Sequence, residues 1–275
     1  MRISLAVLLI AAAAGYIDRA QGASLEPEIV YFQSGGKTLG GELYRPKGLG
    51  PFPTLLYNHG SAPGMLSSQA SRAIAPRFVQ NGWVFFMPYR RGQGLSAGAG
   101  PYIGDEISSA RKRGGSKEAS ETLARLLVTG HLEDQLAAFE WLKAQDYVVR
   151  SRIAASGNSF GGVEAVLGSS EAPYCAVAAA STASESWAAS LPLQNALKNA
   201  ARHSNSPVFL FQARNDYDLS PNKAMLEELQ FSGRPAESRV YPVFGGTAKE
   251  GHSFAYLGGD VWFPDLFNFL AKHCK

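Results

Sequence analysis

Residues 152–162, Arg-Ile-Ala-Ala-Ser-Gly-Asn-Ser-Phe-Gly-Gly, place Ser159 between a short apolar run and an apolar segment that starts with glycines. The run 152–156 is typical of a buried strand, and 160–168 is typical of a helix. The motif Gly157-Asn158-Ser159-Phe160-Gly161 matches G-x-S-x-G, in which a serine on a strained strand-to-helix turn is exposed as a nucleophile. The glycines let neighbouring backbone approach that turn. This stretch therefore predicts an α/β fold with Ser159 as its nucleophile.

A second match to the same pattern occurs at Gly94-Leu95-Ser96-Ala97-Gly98. Short motifs in a chain with 29 glycines arise by chance, so context must separate the two matches. Ser96 follows a glycine-rich turn and precedes Ala-Gly-Pro, which is a poor helix start. We therefore prefer Ser159.

Outward from the motif, apolar runs typical of strands alternate with segments of helical spacing. The predicted strands are 28–33, 39–44, 53–58, 83–88, 152–156, 174–180, 207–212 and 239–244. The predicted helices are 71–80, 132–144, 160–168, one with Ser220 as its N-cap and Pro221 as its first residue, and 261–272. Such alternation predicts a mostly parallel, eight-stranded sheet with helices on both faces. One long segment, 92–130, interrupts it; we expect a short helix over 116–127, in either a lid or a surface excursion.

A serine hydroxyl needs a general base, and in this motif order the base follows the last strand. His252, in Gly251-His252-Ser253-Phe254, has that position. The acid should follow the penultimate strand, where Asp216 and Asp218 are both candidates; we prefer Asp216 because it leaves Asp218 to start the turn into the next helix. The other histidines are interpreted as surface residues at 131 and 203, a helix end at 273, and part of a loop discussed next at 59.

An oxyanion hole needs two backbone N–H groups where negative charge develops. One is predicted from Phe160, at a helix N-terminus. The other is predicted from Ser61, in the loop Asn58-His59-Gly60-Ser61-Ala62 after the third strand. A tight turn without catalytic function is the alternative for this loop.

The N-terminus contains a candidate signal peptide. Arg2 precedes the apolar run 5–15, which is too short to span a bilayer, and small residues occur at Ala20 and Gly22. We predict a signal peptide over 1–22, export to the periplasm or medium, a single domain over 23–275, and no stable membrane anchor.

The net charge of +3 indicates no nucleic-acid partner, since the one basic cluster, at 111–113, is interpreted as a solvated face. Two cysteines and no metal-ligand spacing predict no metal, and no phosphate-cradling loop predicts no cofactor.

Together these residues resemble the α/β-hydrolase superfamily, and within it the dienelactone-hydrolase-like group. The resemblance covers about 28–275 and lies in Asn58-His59-Gly60, Pro88-Tyr89-Arg90-Arg91-Gly92, 157–162, Asn215-Asp216 and 251–254. Dienelactone hydrolases carry a cysteine nucleophile, so with Ser159 a general ester is the better substrate. In that family an arginine after the fourth strand can contact a substrate carboxylate; for Arg90 or Arg91 we favour a structural ion pair.

The superfamily's topology also implies that Cys175 and Cys274 lie near each other, and with export it favours a disulfide over two buried thiols. The resemblance implies a serine hydrolase cleaving small-molecule carboxylic esters through Ser159, His252 and Asp216. Two alternatives remain: a peptidase or amidase with the same triad, whose relatives usually carry an additional domain, and a non-catalytic ligand-binding protein. The acyl and alcohol specificity and the oligomeric state are left open.

Overall fold

A computed structural model describes residues 25–61 and 69–275 of the chain. In this part, eight strands form one sheet in the order β1-β2-β4-β3-β5-β6-β7-β8. Only β2 runs against the others. The strands are β1 Glu28–Ser34, β2 Lys37–Tyr44, β3 Phe52–Asn58, β4 Val84–Pro88, β5 Val148–Asn158, β6 Val177–Ala180, β7 Val208–Ala213 and β8 Ala236–Tyr241. The predicted mostly parallel, eight-stranded sheet is confirmed.

Helices cover both faces of the sheet, as expected for buried parallel strands. They are α1 Gln69–Gln80, α2 Ile103–Leu126, α3 Leu132–Lys143, α4 Phe160–Glu171, α5 Leu191–Arg202, α6 Ser220–Phe231, α7 Ala248–His252, α8 Phe254–Leu257 and α9 Gly259–His273. A 3-10 turn, Gly94–Ala99, precedes α2, and a π-helical segment, Leu127–His131, joins α2 to α3.

The core lies on the two faces of the sheet and follows the two-residue period of its strands. In β4, Phe86 packs with the helices on one face, whereas Phe85 and Met87 pack on the other. In β3, Leu56 and Leu55 divide in the same way. Each of these side chains is buried, which stabilises the fold by roughly 2 kcal/mol per residue.

The last strand lies three residues earlier than the sequence predicts. The prediction of 239–244 followed the apolar residues around Val240 and Phe244, but β8 is Ala236–Tyr241 and lies at the sheet edge. Phe244 instead belongs to the loop behind β8, where the Asn215 side chain accepts from its N–H and donates to its C=O, both at 2.9 Å. An edge strand needs few buried side chains, so its apolar pattern is weak.

The long segment 92–130 is more helical than predicted. The expected helix over 116–127 is part of α2, which begins at Ile103 and contains non-helical backbone at Gly114 and Gly115. Glycines within α2 weakened the helical signal. Ser120 in α2 donates to Ser190 at the start of α5, at 2.9 Å. Whether this segment acts as a lid or is a surface excursion stays a prediction.

Cys175, just before β6, is joined to Cys274, just after α9, with their Cα atoms 4.9 Å apart. Arg152 at the bottom of β5 donates from Nε to the Cys274 carbonyl at 2.9 Å. The disulfide thus joins the end of the C-terminal helix to the segment that leads into β6. Among the helices of the described ranges, none combines the length and apolar character needed to cross a membrane. The predicted leader over 1–22 lies outside the described residues.

Candidate active site

The serine of the first motif lies where β5 passes into α4. Ser159 has φ 59° and ψ −121°, a conformation that costs an L-residue free energy and is kept where the surrounding structure enforces it. Glycine is required on both sides of the turn. A Cβ on Gly157 would lie 2.3 Å from the Gly161 carbonyl oxygen, and one on Gly161 would lie 1.9 Å from the Asn58 carbonyl oxygen. The geometry is that of a nucleophile elbow.

The second motif has a different structure. Ser96 is buried, and its Oγ donates to the Tyr89 carbonyl at 2.7 Å while accepting from the Gly40 N–H at 2.9 Å. It lies in the 3-10 turn and no helix of the elbow type follows it. The Ser96 hydroxyl therefore links β2 to the segment after β4 by hydrogen bonds.

His252 and Asp216 contact each other at the carboxyl ends of the strands. His252 is the last residue of α7. Its Nδ1 lies 2.8 Å from Oδ1 of Asp216, which belongs to the loop that follows β7. Asp218 lies elsewhere: its Oδ1 accepts from the Ser220 N–H at 2.7 Å and helps to start α6. The structure thus pairs His252 with the preferred candidate, Asp216. It also places Ser220 inside α6 and Leu219 at its N-cap, one residue earlier than predicted.

The environment of Asp216 favours a carboxylate. Burial by itself raises the pKa of this residue, which is 7% exposed. The hydrogen bond and charge of His252, together with neighbouring serine hydroxyls, outweigh burial and lower the pKa below its usual value. The Tyr217 N–H also donates to Asp216 Oδ1, at 2.8 Å. A carboxylate held in this way can orient a histidine tautomer and stabilise an imidazolium.

Ser184 is a site residue that the sequence analysis did not assign. Its Oγ donates to Asp216 Oδ1 at 2.8 Å and lies 3.0 Å from His252 Nδ1. It belongs to the loop after β6, where Ser181 and Ala183 have positive φ values of 50° and 55°. The available signal was a polar Ser-Thr-Ala-Ser sequence at the carboxyl end of a strand next to β7.

Asn158 connects the nucleophile turn with the histidine segment. Its Nδ2 lies 3.4 Å from the His252 carbonyl, to which it donates. Asn158 directly precedes Ser159, so this bond places the backbone of His252 beside the elbow. On the other side of His252, the ring of the exposed Tyr217 lies with its centroid 5.3 Å from the imidazole. The His252 backbone thus lies beside the turn that carries Ser159, and its side chain contacts Asp216.

The predicted oxyanion loop follows β3 and packs against the first turn of α4. The Cβ that Gly161 lacks would also lie 2.9 Å from the His59 carbonyl oxygen, so helix and loop are in backbone contact. Phe160 is the first residue of α4, where the helix dipole favours negative charge. Ser61 is the last described residue of the loop, and its carbonyl accepts from the Tyr102 hydroxyl at 2.8 Å. Ala62, the end of the predicted loop, lies outside the described residues.

The two arginines after β4 have different partners. Arg91 forms an ion pair with the buried Asp134, with 2.5 Å between Nη2 and Oδ1, and a second one with Glu133 at 2.9 Å. The expected structural ion pair is therefore present at Arg91. Arg90 is buried and donates to the backbone carbonyls of His59 and Gly60 in the predicted oxyanion loop.

His131 was interpreted as a surface residue, and that was wrong. It is 1% exposed and closes the π-helical segment before α3. Burial and the charge of Arg90 lower the pKa of His131 to about 3, so the imidazole is neutral. His203 is exposed, as expected. In the described ranges, 25–61 and 69–275, no three His, Cys, Asp or Glu side chains come together as a metal site.

A sequence profile of the prolyl oligopeptidase family matches residues 112–189, less than a third of the chain, with the elbow inside the match. No curated protein matches the sequence.

Solved structures are similar over nearly the whole chain. A putative dienelactone hydrolase from Klebsiella pneumoniae is 19% identical, with a TM-score of 0.64, over 89% of this chain and 97% of its own. An esterase from Pyrococcus furiosus is 18% identical, with a TM-score of 0.65, over 92% of both chains. An acylaminoacyl peptidase from Pyrococcus horikoshii is 15% identical, with a TM-score of 0.63, over 92% of this chain but 42% of its own. The chain has the α/β-hydrolase fold, as its motifs indicated, and is similar to hydrolases that include esterases and serine-type peptidases.

Proposed function

We propose that the chain is an exported serine hydrolase that cleaves carboxylic esters. One observation carries the proposal: the His252–Asp216 pair lies beside an elbow whose serine is held at φ 59°. A strained serine, a histidine and an ionised carboxylate at one sheet edge are the parts of nucleophilic acyl transfer. The similarity to an esterase and a putative dienelactone hydrolase agrees with this chemistry.

In the proposed reaction, Ser159 Oγ attacks the ester carbonyl carbon while its proton passes to His252 Nε2. The electron pair of the C=O bond moves to oxygen, where the N–H groups of Phe160 and Ser61 stabilise the charge. Collapse expels the alkoxide, which takes the proton from His252, and leaves an acyl group on Ser159. Water then repeats the sequence and releases the acid. Each oxyanion donor is expected to contribute about 10²- to 10³-fold to kcat.

A peptidase or amidase on the same residues is the second candidate. The match to the prolyl oligopeptidase family at 112–189 favours it. The chain corresponds to less than half of the acylaminoacyl peptidase to which it is similar, so that protein's activity does not transfer directly. An amide has a poorer leaving group than an ester and depends more on protonation by His252, so the two substrates distinguish the candidates.

A covalent probe and a substrate panel test the proposal. We expect a fluorophosphonate to label the wild type once, at Ser159, and Ser159→Ala to lose both the label and about 10⁴-fold or more in kcat. The control Ser96→Ala should keep the label, because the buried Ser96 hydroxyl is hydrogen-bonded to the backbone of Gly40 and Tyr89. A chain-length series of p-nitrophenyl esters beside a peptide anilide then measures the preference. No adduct at Ser159 would favour the non-catalytic ligand-binding alternative, and faster anilide cleavage would favour the peptidase.

Export is supported by the leader-like sequence at 1–22 and by the Cys175–Cys274 bond, since disulfides persist in oxidising compartments. We expect the protein recovered outside the cytoplasm to begin at Ala23 and to contain no thiol. Intact mass before and after reduction and alkylation measures both. A retained Met1, or two alkylated cysteines without reduction, would contradict the export proposal.

A further inference from the structure

Arg90 is a buried arginine whose donors face the backbone of the candidate oxyanion loop. It is 2% exposed. Its Nη1 donates to the His59 carbonyl at 2.6 Å and its Nη2 to the Gly60 carbonyl at 3.0 Å. Nη2 also donates to Gln93 Oε1 at 3.3 Å, whereas Nε has no hydrogen-bond partner among the described residues. Burying a guanidinium costs free energy, and its charge-assisted bonds to two successive carbonyls offset part of that cost and fix the two carbonyls in place.

His59 shares this task. The Arg90 N–H donates to His59 Nε2 at 3.2 Å, which assigns the imidazole proton to Nδ1. Nδ1 in turn donates to the Gly60 carbonyl at 2.6 Å. Burial lowers the pKa of His59 well below its usual value, so the ring stays neutral and keeps this tautomer. The Gly60 carbonyl thus accepts from both Arg90 and His59, and the backbone of Arg90 also contacts the second of these donors.

The planar peptide bond transmits this hold to the next amide. The Gly60 C=O and the Ser61 N–H belong to one trans peptide unit and point in opposite directions. A Gly60 carbonyl that faces inward to Arg90 therefore turns the Ser61 N–H away from Arg90. We propose that Arg90 is a positioning residue that aims the Ser61 N–H at the oxyanion; this inference rests on the proposed function.

The neighbouring amide supports Ser61 as the donor. The Gly60 N–H lies against the Tyr256 hydroxyl, and a Cβ on Gly60 would be 3.0 Å from that oxygen. Tyr256 thus engages one amide of the loop from α8. Ser61 follows directly in the chain.

The charge of Arg90 also links the loop to the nucleophile's helix. Burial lowers the pKa of Arg90, but the carboxyl groups of Glu164 in α4 and Asp134 in α3 oppose this effect. Phe160, the other proposed donor, begins the same helix that carries Glu164. Arg90 therefore lies between the elements that carry the two oxyanion donors.

Steady-state kinetics test the positioning role. We expect Arg90→Gln to lower kcat for a p-nitrophenyl ester by about 10- to 100-fold with little change in KM, because a misplaced donor acts on the transition state. Arg90→Lys, which keeps the charge but has its N–H donors on a single nitrogen, should recover part of the loss. The matched control is Arg91→Gln, which removes the ion pair with Asp134 and should change kcat by less than about threefold per titrated active site. Equal losses in Arg90→Gln and Arg91→Gln would overturn the inference.

Amide hydrogen exchange provides a readout that does not depend on activity. In Arg90→Gln we expect exchange in the 58–61 segment to accelerate by about tenfold or more while β7 keeps wild-type protection. Unchanged exchange at 58–61 would overturn the inference even if kcat falls. Should Arg90→Gln fail to fold, Arg90→Lys is measured in the same way. If the wild type hydrolyses no acyl substrate, the proposed function fails, and exchange still decides whether Arg90 holds the loop.

Discussion

Replacing Asp216 by asparagine should lower kcat for ester hydrolysis by about 10⁴-fold. Asp216 Oδ1 lies 2.8 Å from His252 Nδ1 and requires the tautomer with its proton on Nδ1. An asparagine can present its NH₂ group to Nδ1, which favours the other tautomer and removes the base at Nε2. The loss should appear in kcat and in kcat/KM alike, since the carboxylate acts in the transition state. Steady-state kinetics with a p-nitrophenyl ester measure both.

Asp218→Asn is the matched control. Asp218 Oδ1 accepts from the Ser220 N–H at 2.7 Å, and an amide oxygen can accept the same bond. We expect kcat within about twofold of wild type and a similar melting temperature. A large loss in Asp218→Asn with an active Asp216→Asn would reverse the assignment of the acid.

The positions of the triad candidates could be predicted because the topology limits them. In an open parallel sheet, residues that follow the carboxyl ends of neighbouring strands meet at one edge. Ser159, Asp216 and His252 each follow such a strand, so the G-x-S-x-G motif and the chain order were enough to name them as candidates. Ser184 follows β6 in the same way but lacked a motif, and serines are common in loops. Its contact with Asp216 depends on the positive φ values at Ser181 and Ala183, for which alanine and serine carry no sequence signal.

The remaining differences have physical causes of the same kind. The apolar pattern had assigned Phe244 to the last strand, but β8 lies at 236–241. The backbone of Phe244 is instead hydrogen-bonded to the side chain of Asn215, a long-range contact that the local pattern does not reveal. Likewise, His131 is buried because α2 continues into a π-helical segment facing Arg90, which local spacing does not reveal. The structural ion pair predicted for Arg90 or Arg91 is present at Arg91. The hydrogen bonds of Arg90 to backbone carbonyls could not be predicted, because they depend on the path of the 58–61 loop.

Glu164 is a titratable residue whose carboxyl group is buried without a hydrogen-bond partner among the described residues. It lies in α4 and is fully buried. The charged or titratable groups facing it are Arg90 behind β4, Asp134 in α3 and Tyr174 before β6. Burial raises the pKa of Glu164 to about 8. The positive charge of Arg90 acts in the opposite direction and lowers this pKa, whereas the carboxyl group of Asp134 raises it further.

Glu164→Gln should remove a pH dependence of stability that the wild type shows. Since the folded-state pKa is above that of the unfolded chain, the native protein keeps a proton that the unfolded chain loses from about pH 4.5 upward. The wild type therefore loses stability as the pH rises toward about 8, by about 3 to 5 kcal/mol at most. Glutamine is a neutral isostere, so we expect near-equal stability at about pH 5 and a more stable Glu164→Gln at about pH 8.

Urea unfolding of the two proteins across this pH range, with the disulfide intact, measures the difference. Glu171→Gln is the control, because Glu171 lies at the exposed end of the same helix and its replacement should leave the wild-type curve unchanged. Parallel stability curves for wild type and Glu164→Gln would show that Glu164 is ionised in the folded protein throughout. Because the charge of Arg90 acts on Glu164, the variants at these two positions examine one buried region, one through catalysis and the other through folding.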